Sequence, residues 1–405
     1  MSHQTRPLTV LCIASYYKGV DFMKECKGLG CRVLLLTSKS LEHEQWPYDS
    51  LDGIYYIDRK DPDWDIKNLI KGVSYLARTE QIDRIVPLDD FDLEKAAALR
   101  EHLRVQGMGD TRTRYFRDKL SMRLQARESG ILVPEFVHCL NHQLIHEFTE
   151  RVSPPWALKP RMQASAVGIK KLHSAEELWK ALEALEDDQS FHLLERFVPG
   201  NIYHVDSIIF DRKVLFARVH QYMATPWEVT HHGGIFRTHN VPFGSDDDKE
   251  LQALNQELLL ALGLIRGVSH TEFIKAAEDG RFYFLETSAR VGGAHIAEMV
   301  EASSGINLWR EWAKIESLKA GEKYTLPKVK QGYSGIIISL AKQEQPDTSA
   351  YSDPEIVWRL NKHHHAGLIV KSSSQEKVKS LLDDYANRFK DDFYANMPAP
   401  DKPSA

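Results

Sequence analysis

The chain has 405 residues, a length that allows roughly two to four domains or one large composite enzyme. Hydrophobic residues make up 42% of the chain and charged residues 27%, which supplies enough apolar material for large cores and excludes wholesale disorder. The formal net charge is -5, so the chain has no overall excess of basic residues. Nucleic acid is therefore not expected as the main partner.

The cysteines and the apolar runs indicate the compartment. Cys12, Cys26, Cys31 and Cys139 form no CxxC pair and predict reduced thiols rather than a disulfide framework. No stretch approaches the roughly 20 apolar residues that span a bilayer. The apolar run Leu8–Ala14 is too short for a signal sequence. We therefore predict a cytoplasmic protein without a membrane partner.

The first 110 residues alternate apolar, strand-like runs with helix-like segments. Leu8–Ser15 predicts a strand buried on both faces, and three similar runs follow at Arg32–Thr37, Gly53–Ile57 and Arg84–Leu88. Strands that alternate with helices predict an open parallel sheet. The loop after the first strand, SYYKG, lacks the GxGxxG pattern, so no dinucleotide site is predicted here.

After residue 110 the pattern changes to short strands, hairpins and amphipathic helices. A third region begins near residue 326 and contains strand patterns at Gly335–Leu340 and Gly367–Lys371 and a helical pattern at Gln375–Phe389. The Pro-rich tail at 396–405 is predicted to be disordered. The predicted fold class is α/β, with an α+β central part, and the expected divisions are 1–110, 111–325 and 326–395.

The strongest local signal for chemistry is the segment HTEFIKAAEDGRFYFLETSAR, which begins at His270. A three-residue loop at Glu278–Gly280 would place Glu272 and Glu286 directly opposite each other on a hairpin. Facing carboxylates repel, so they need a cation between them or a proton on one of them. Mg²⁺ takes carboxylate oxygens together with phosphate oxygens. A two-residue loop would instead turn one glutamate to water, and the spacing alone leaves both alternatives open.

Cationic and small residues accompany this pair. Arg290 lies four residues after Glu286, where a guanidinium suits a transferring phosphoryl group, and an ordinary salt bridge is the alternative. Gly292 and Gly293 follow, and paired glycines let the backbone approach a ligand closely. Lys159 precedes the loop RMQASAVG, which could fold over phosphates or form a solvated hairpin.

Two histidine groups differ in what they predict. His363–His365 is a poor chelate because adjacent side chains point in different directions, so a surface or interface role is predicted. His232 precedes Gly233 and Gly234, with Arg237 nearby, and this loop is a candidate substrate contact or a solvent loop. The chain contains no G-x-S-x-G elbow, so a covalent hydrolase is not predicted.

Five segments occur in the order and spacing of one superfamily: RDKLSMRLQARESGILVP, PWALKPR, LLERFVPGNIYHVD, HTEF and LETSARVGG. Together they resemble the ATP-grasp superfamily, in the branch that contains biotin carboxylase and the carboxylate–amine (amino-acid) ligases. The resemblance covers about residues 5–325. It implies an ATP-grasp body that binds ATP together with Mg²⁺ or Mn²⁺. A lid subdomain at about 150–200 is expected to cover the nucleotide.

The resemblance also implies roles for single residues. Lys119 and Lys159 match the lysines that hold the ATP phosphates, and Ser165 lies in the loop that covers those phosphates. Glu272 and Glu286 match the metal ligands.

Further residues match the nucleotide hinge and the catalytic arginine. Glu195, Phe197 and Val198 match the hinge that contacts adenine and ribose, and His204 lies where such enzymes approach the ribose. Arg290 matches the residue that stabilises the phosphate and the acyl phosphate, and Lys159 is the second catalytic candidate.

The sequence departs from the family pattern at two places. Ser288 stands where the family often has a metal-binding asparagine, which puts its role in metal binding in doubt. The residues VGGAHIAE after Arg290 differ from the biotin carboxylase pattern and argue against biotin carboxylation.

The implied function is an ATP-dependent carboxylate–amine ligase that forms a carbon–nitrogen bond through an acyl phosphate and releases ADP and phosphate. Amino acids are the expected carboxylate and amine substrates. The alternatives are a thiol or hydroxyl acceptor, and a non-catalytic ATP-binding regulatory module. Ser288 gives the module some support, whereas the retained Glu272, Glu286, Arg290 and both lysines count against it. Relatives are often homodimers, and the sequence does not decide the oligomeric state.

Overall fold

The computed structural model describes residues 6–58, 64–164, 166–232 and 234–395, except for the side chains of 230–232. Within these residues the strands form three sheets, of four, eight and four strands. The predicted α/β class is confirmed. The tail at 396–405, predicted to be disordered, lies outside the described residues.

The N-terminal part is a parallel sheet with helices on both faces. Its elements are β1 (Thr9–Ala14), α1 (Val20–Gly28), β2 (Arg32–Ser38), β3 (Gly53–Ile57), α2 (Ile66–Leu76), β4 (Arg84–Pro87) and α3 (Leu93–Leu103). The strand order is β3-β2-β1-β4, and β1 is buried along its whole length. The order reverses between β1 and β4. In open α/β sheets, ligands bind outside the carboxyl ends of the strands at this point.

The second part carries a small antiparallel sheet, here called the lid sheet. Its elements are α4 (Asp110–Arg114), α5 (Lys119–Glu128), β5 (Phe136–His138), α6 (His142–Arg151), β6 (Trp156–Pro160), β7 (Lys170–Leu172), α7 (Ala175–Glu183) and β8 (His192–Arg196). The strand order is β5-β8-β6-β7, and α6 and α7 contribute to the core of this sheet. Within residues 150–200, where the resemblance implies a lid subdomain, lie β6, β7, α7 and β8 of this sheet.

The rest of the chain forms one large antiparallel sheet with helices packed against it. Its elements are β9 (Gly200–Phe210), β10 (Lys213–Tyr222), α8 (Pro226–His232), β11 (Phe236–Asn240), α9 (Asp246–Ala261), β12 (Gly267–Ala276), β13 (Phe282–Ser288), α10 (Ile296–Ser304), α11 (Leu308–Glu316), β14 (Tyr333–Leu340), β15 (Ile356–Arg359), β16 (His365–Ser372) and α12 (Gln375–Asp392). The strand order is β13-β12-β9-β10-β11-β14-β16-β15. Among the residues described, no helix is long and apolar enough to cross a membrane.

The C-terminal strands belong to this same large sheet. β14 pairs with β11, so residues 326–395 extend the sheet that carries the central hairpin. β11 was not predicted, because its sequence FRTHN has no apolar alternation. Thr238, His239 and Asn240 are nevertheless buried within the sheet. Tertiary pairing outweighs weak local strand propensity at this strand.

Candidate active site

A cavity of about 570 Å³ opens between the lid sheet and the large sheet. Its size falls within the range of small-molecule and cofactor sites. The predicted site residues that line it are Lys119, Lys159, Glu195, Phe197, Val198, Glu272, Glu286, Arg290 and Gly293. Elements far apart in the chain thus bring most of the predicted set together.

Other predicted residues do not reach this cavity. Arg237 follows Phe236, which lines the cavity, and successive side chains on a strand point to opposite faces. Arg237 therefore faces α12, where its NH1 lies 2.7 Å from Asp383 Oδ1. His204 is wholly buried, and its Nε2 lies 2.9 Å from Thr238 Oγ1. Neither His204 nor Arg237 lines the cavity.

Two further candidates fall outside what the structure describes. Ser165, predicted in the phosphate-covering loop, lies outside the described residues, and so does the side chain of His232. His363 and His364, for which a surface role was predicted, are exposed at the turn before β16.

Glu272 and Glu286 lie directly opposite each other on β12 and β13. The predicted pairing is present, but the hairpin reaches it by a different route. Lys275 pairs with Phe282, so the loop is longer than the predicted three residues, and this register alone would place Glu272 opposite Leu285. A register shift at Leu285 acts as a bulge and restores the pairing of the two glutamates.

The two carboxylates form a donor set that fits a hard divalent cation. Glu272 Oε1 accepts a hydrogen bond from Tyr222 Oη at 2.8 Å and lies 3.6 Å from His270 Nε2. Burial alone would raise the pKa of Glu272, but His270 and Tyr222 offset it, so the pKa lies below its usual value. An ionised Glu272 opposite Glu286 provides the oxygen ligands that Mg²⁺ prefers.

The two lysines predicted to hold phosphates are each paired with a carboxylate. Lys119 begins α5, and its Nζ lies 2.8 Å from Glu286 Oε2 and donates to the carbonyl oxygen of Gln163 at 2.5 Å. Lys159 on β6 pairs with Glu195 on β8. Both ammonium groups line the cavity, so they can contact a polyanion there.

Glu195 is held by two cations, one of which the sequence analysis missed. Arg123 on α5 donates to Glu195 Oε2 from Nε at 3.1 Å and from NH2 at 3.0 Å. Burial would raise the pKa of Glu195, but Arg123 and Lys159 offset it and keep the pKa below its usual value. Arg123 therefore stabilises the carboxylate that holds Lys159.

Replacing Arg123 by leucine is expected to lower the free energy of unfolding by about 3–5 kcal/mol, because it removes one partner of a buried ion pair. Urea denaturation measures this loss. Arg127→Leu is the control, because Arg127 is exposed on the same helix. The control should cost about 1 kcal/mol or less. Equal losses in the two variants would show that the Arg123–Glu195 pair contributes nothing specific to stability.

Arg290 is anchored by Asp90, a residue that the sequence analysis missed. Its NH2 lies 3.3 Å from Asp90 Oδ2, and the Ser288 hydroxyl donates to Asp90 Oδ1 at 2.5 Å. Burial would raise the pKa of Asp90, but the charges of Arg290 and Arg117 offset it and hold the pKa well below its usual value. Asp90 follows β4 at the strand-order reversal, and this position was the signal that could have identified it.

Gly292 is a close-packing position rather than a cavity residue. A Cβ atom there would lie 2.9 Å from His270 Nδ1 and 3.0 Å from Asp206 Oδ1, both of which are buried. The next residue, Gly293, lines the cavity, and a Cβ atom there would meet nothing within 4 Å. The two glycines, which were predicted together to let the backbone approach a ligand such as the substrate, therefore have different surroundings.

Gly292→Ala is expected to lower the free energy of unfolding by about 1–3 kcal/mol, because the new methyl group overpacks a rigid buried pair. Gly293→Ala should leave stability within about 0.5 kcal/mol or raise it slightly, since alanine restricts the unfolded chain. Calorimetric unfolding of the two variants side by side tests this difference. If Gly292→Ala proved as stable as Gly293→Ala, the inference that Gly292 is closely packed would be wrong.

Comparison with known proteins identifies the fold and the relatives of the chain. No protein-family model matches the sequence. An L-arginine-specific L-amino acid ligase of Bacillus subtilis is 23% identical over 241 residues, which cover 58% of this chain and 57% of that protein. A D-alanine–D-alanine ligase of Dechloromonas aromatica (strain RCB) is 26% identical over 196 residues, which cover 47% of this chain and 63% of that protein. The chain therefore matches less than two thirds of either curated relative.

Solved structures match over almost the whole chain. An L-amino acid ligase from Bacillus licheniformis has a TM-score of 0.76 at 17% identity, covering 96% of this chain and 100% of that chain. An N5-carboxyaminoimidazole synthetase from Staphylococcus aureus, complexed with ADP, has a TM-score of 0.70 at 14% identity. The match covers 94% of this chain and 96% of that chain. The architecture is therefore the ATP-grasp fold. The two sequence relatives are both named as ligases that act on amino acids, and this chain is similar to them.

Proposed function

We propose that this chain is an ATP-dependent carboxylate–amine ligase, which forms an amide or peptide bond and releases ADP and phosphate. The observation that carries the proposal is the convergence in one cavity of the facing glutamates with Lys119, Lys159 and Arg290. The relatives named as L-amino acid ligase and D-alanine–D-alanine ligase support it and favour amino acids as both substrates.

The lining of the cavity favours one orientation of ATP. Apolar side chains cover the part of the cavity next to the segment that follows β8, where an adenine ring would be enclosed, and these are Val198, Ile202, Ile274 and Leu285. Lys119, Lys159 and the two glutamates also line the cavity and would contact the phosphates. In this orientation the γ-phosphate would face Arg290, which lines the same cavity.

Glu272 and Glu286 would hold the divalent cation that accompanies ATP, Mg²⁺ or Mn²⁺. When bound, such a cation neutralises phosphate oxygens and stabilises the charge that develops during phosphoryl transfer. The facing arrangement of the two carboxylates and the ionised state of Glu272 fit this role.

The proposed reaction has two steps. An oxygen of the substrate carboxylate attacks the γ-phosphorus, the bond from that phosphorus to the ADP oxygen breaks, and an acyl phosphate forms. Arg290 stabilises the charge on the transferring group. An amine nitrogen then attacks the acyl carbon and loses a proton, and phosphate leaves with the former carboxylate oxygen. The lid sheet would keep water from the acyl phosphate.

Phosphate release from Mg·ATP in the presence of pooled amino acids and small carboxylates tests the proposal. We expect release only when a pool contains both a carboxylate and an amine, and mass spectrometry should detect the amide. Hydroxylamine in place of the amine should yield a hydroxamate from the acyl phosphate. An ester or a thioester as the product would instead support a hydroxyl or thiol acceptor. AMP and diphosphate as products would contradict the proposed chemistry.

A further inference from the structure

A row of polar residues runs across one face of the large sheet, from the facing glutamates into the core. The register places Glu286 opposite Glu272, Glu272 opposite His204, and His204 opposite His220. The neighbouring row places His270 opposite Asp206. Directly opposite residues share a face of the sheet, so these side chains form one cluster beneath the cavity.

Asp206 is the centre of this cluster and is wholly buried. Its Oδ1 accepts a hydrogen bond from His270 Nδ1 at 2.8 Å, and its Oδ2 lies 2.7 Å from His204 Nδ1. His220 Nδ1 lies 3.3 Å from the same Oδ2. Of these three histidines, His270 alone also lines the cavity. His270 therefore connects the buried aspartate with the proposed cation site.

The Asp206–His270 pair lies between Glu272 and the segment that contains Gly292. On one side, His270 Nε2 lies 3.6 Å from Glu272 Oε1. On the other side, Gly292 packs so closely that an added Cβ atom would clash with His270 Nδ1 and Asp206 Oδ1. Since Gly292 is two residues from Arg290, the same pair supports a metal-binding carboxylate and the segment that carries the catalytic arginine.

We propose that His270, held in orientation by Asp206, is a positioning residue that sets the Glu272 carboxylate for the divalent cation of the bound nucleotide. His270 and Tyr222 both lie close to Glu272 Oε1. Because these two groups occupy Oε1, the other carboxylate oxygen, Oε2, is left to bind the cation. The inference rests on the proposed function, because it requires a metal–nucleotide complex in the cavity. Removing a residue that orients a metal ligand typically weakens metal binding by about 10–100-fold.

Two variants of His270 separate its two contacts. His270→Asn keeps an amide nitrogen near the position of Nδ1, so it preserves a donor to Asp206 but loses the edge that faces Glu272. His270→Gln places its amide nitrogen near the position of Nε2 and keeps a group that faces Glu272. His220→Gln is the matched control, because His220 also approaches Asp206 but does not line the cavity.

The measurement is the affinity for Mn²⁺ of the folded protein saturated with a non-hydrolysable ATP analogue, read from the electron paramagnetic resonance signal of free Mn²⁺. We expect His270→Asn to weaken Mn²⁺ binding by about 10-fold or more, and His270→Gln to recover part of that loss. The affinity for the analogue without metal, measured by calorimetry, should stay within about two-fold in every variant, and His220→Gln should match the wild type.

The outcomes separate this inference from the proposed function. If the wild type binds Mn²⁺ with the analogue and His270→Asn binds it equally well, the inference is wrong and the proposed function stands. An equal loss in His220→Gln also overturns it, because the cluster would then act only through packing. If the wild type itself binds no Mn²⁺ with the analogue, the proposed function fails and the inference fails with it. If His270→Asn does not fold, the Mn²⁺ affinities of His270→Gln and His220→Gln are compared instead, and the same outcomes apply.

Discussion

Glu286→Gln is expected to lower the rate of ATP-dependent phosphate release by about 10²–10³-fold. The substitution keeps the shape of the side chain and replaces a carboxylate by a neutral amide. It removes one of the two facing anions and the partner of Lys119, which lies 2.8 Å away. Both the cation affinity and the placement of Lys119 should suffer, so the apparent affinity for Mg·ATP should fall together with the rate.

Glu278→Gln is the control for this experiment. Glu278 lies at the turn of the same hairpin, half-exposed, and its Oε1 lies 2.7 Å from Arg196 NH1. It loses the same charge without touching the cavity, and its rate should stay close to that of the wild type. A Glu286→Gln enzyme within ten-fold of the wild-type rate would remove Glu286 from the cation site, and a comparable loss in both variants would assign the effect to net charge or hairpin stability.

Arg290→Lys is expected to lower kcat by about 10²–10³-fold while the KM for ATP changes much less. Arg290 NH2 contacts Asp90, and its NH1 donates to the carbonyl oxygen of Val291 at 2.9 Å. The planar guanidinium can keep these contacts and still present donors to a transferring phosphoryl group. A lysine keeps the charge but cannot supply several donors in fixed directions.

The kinetic pattern distinguishes a transition-state role from simple binding. An equal fall in kcat and kcat/KM means that the lost interaction is made only in the transition state. A raised KM for ATP with unchanged kcat would instead make Arg290 a nucleotide-binding residue and contradict the proposed role. Arg281→Lys is the control, because Arg281 is exposed just before β13 and should retain wild-type kinetics.

The sequence predicted the facing glutamates because hairpin pairing depends on residues close together in the chain. The prediction was right about the pair and wrong about the loop. A longer loop shifts the register, and the irregularity at Leu285 shifts it back. The position of a bulge depends on the contacts that the strand makes with other parts of the protein. Here the carbonyl oxygen of Leu285 accepts a hydrogen bond from Arg123. No local pattern in the chain encodes that contact.

Residues that support the site were missed because their partners are distant in sequence. Arg123 and Glu195 are 72 positions apart, and Ser288 and Asp90 are 198 positions apart. Arg237 shows the reverse case, since its neighbours in sequence made it a candidate, and strand alternation turns it away from the cavity towards Asp383. A charge near a glycine-rich loop carries no information on which face of an undetected strand it will occupy.

By itself, the sequence indicated the fold class and the facing glutamates, because strand and helix periodicity and hairpin spacing are local properties of the chain. The family resemblance added Lys119, Glu195, Phe197 and Val198, which also line the cavity. Only the tertiary structure decided that the C-terminal strands extend the central sheet, that Asp90 anchors Arg290, and that Asp206 and His270 lie under Gly292. These features arise where buried polar groups from separate segments must satisfy one another, and that requirement acts only once the segments are packed together.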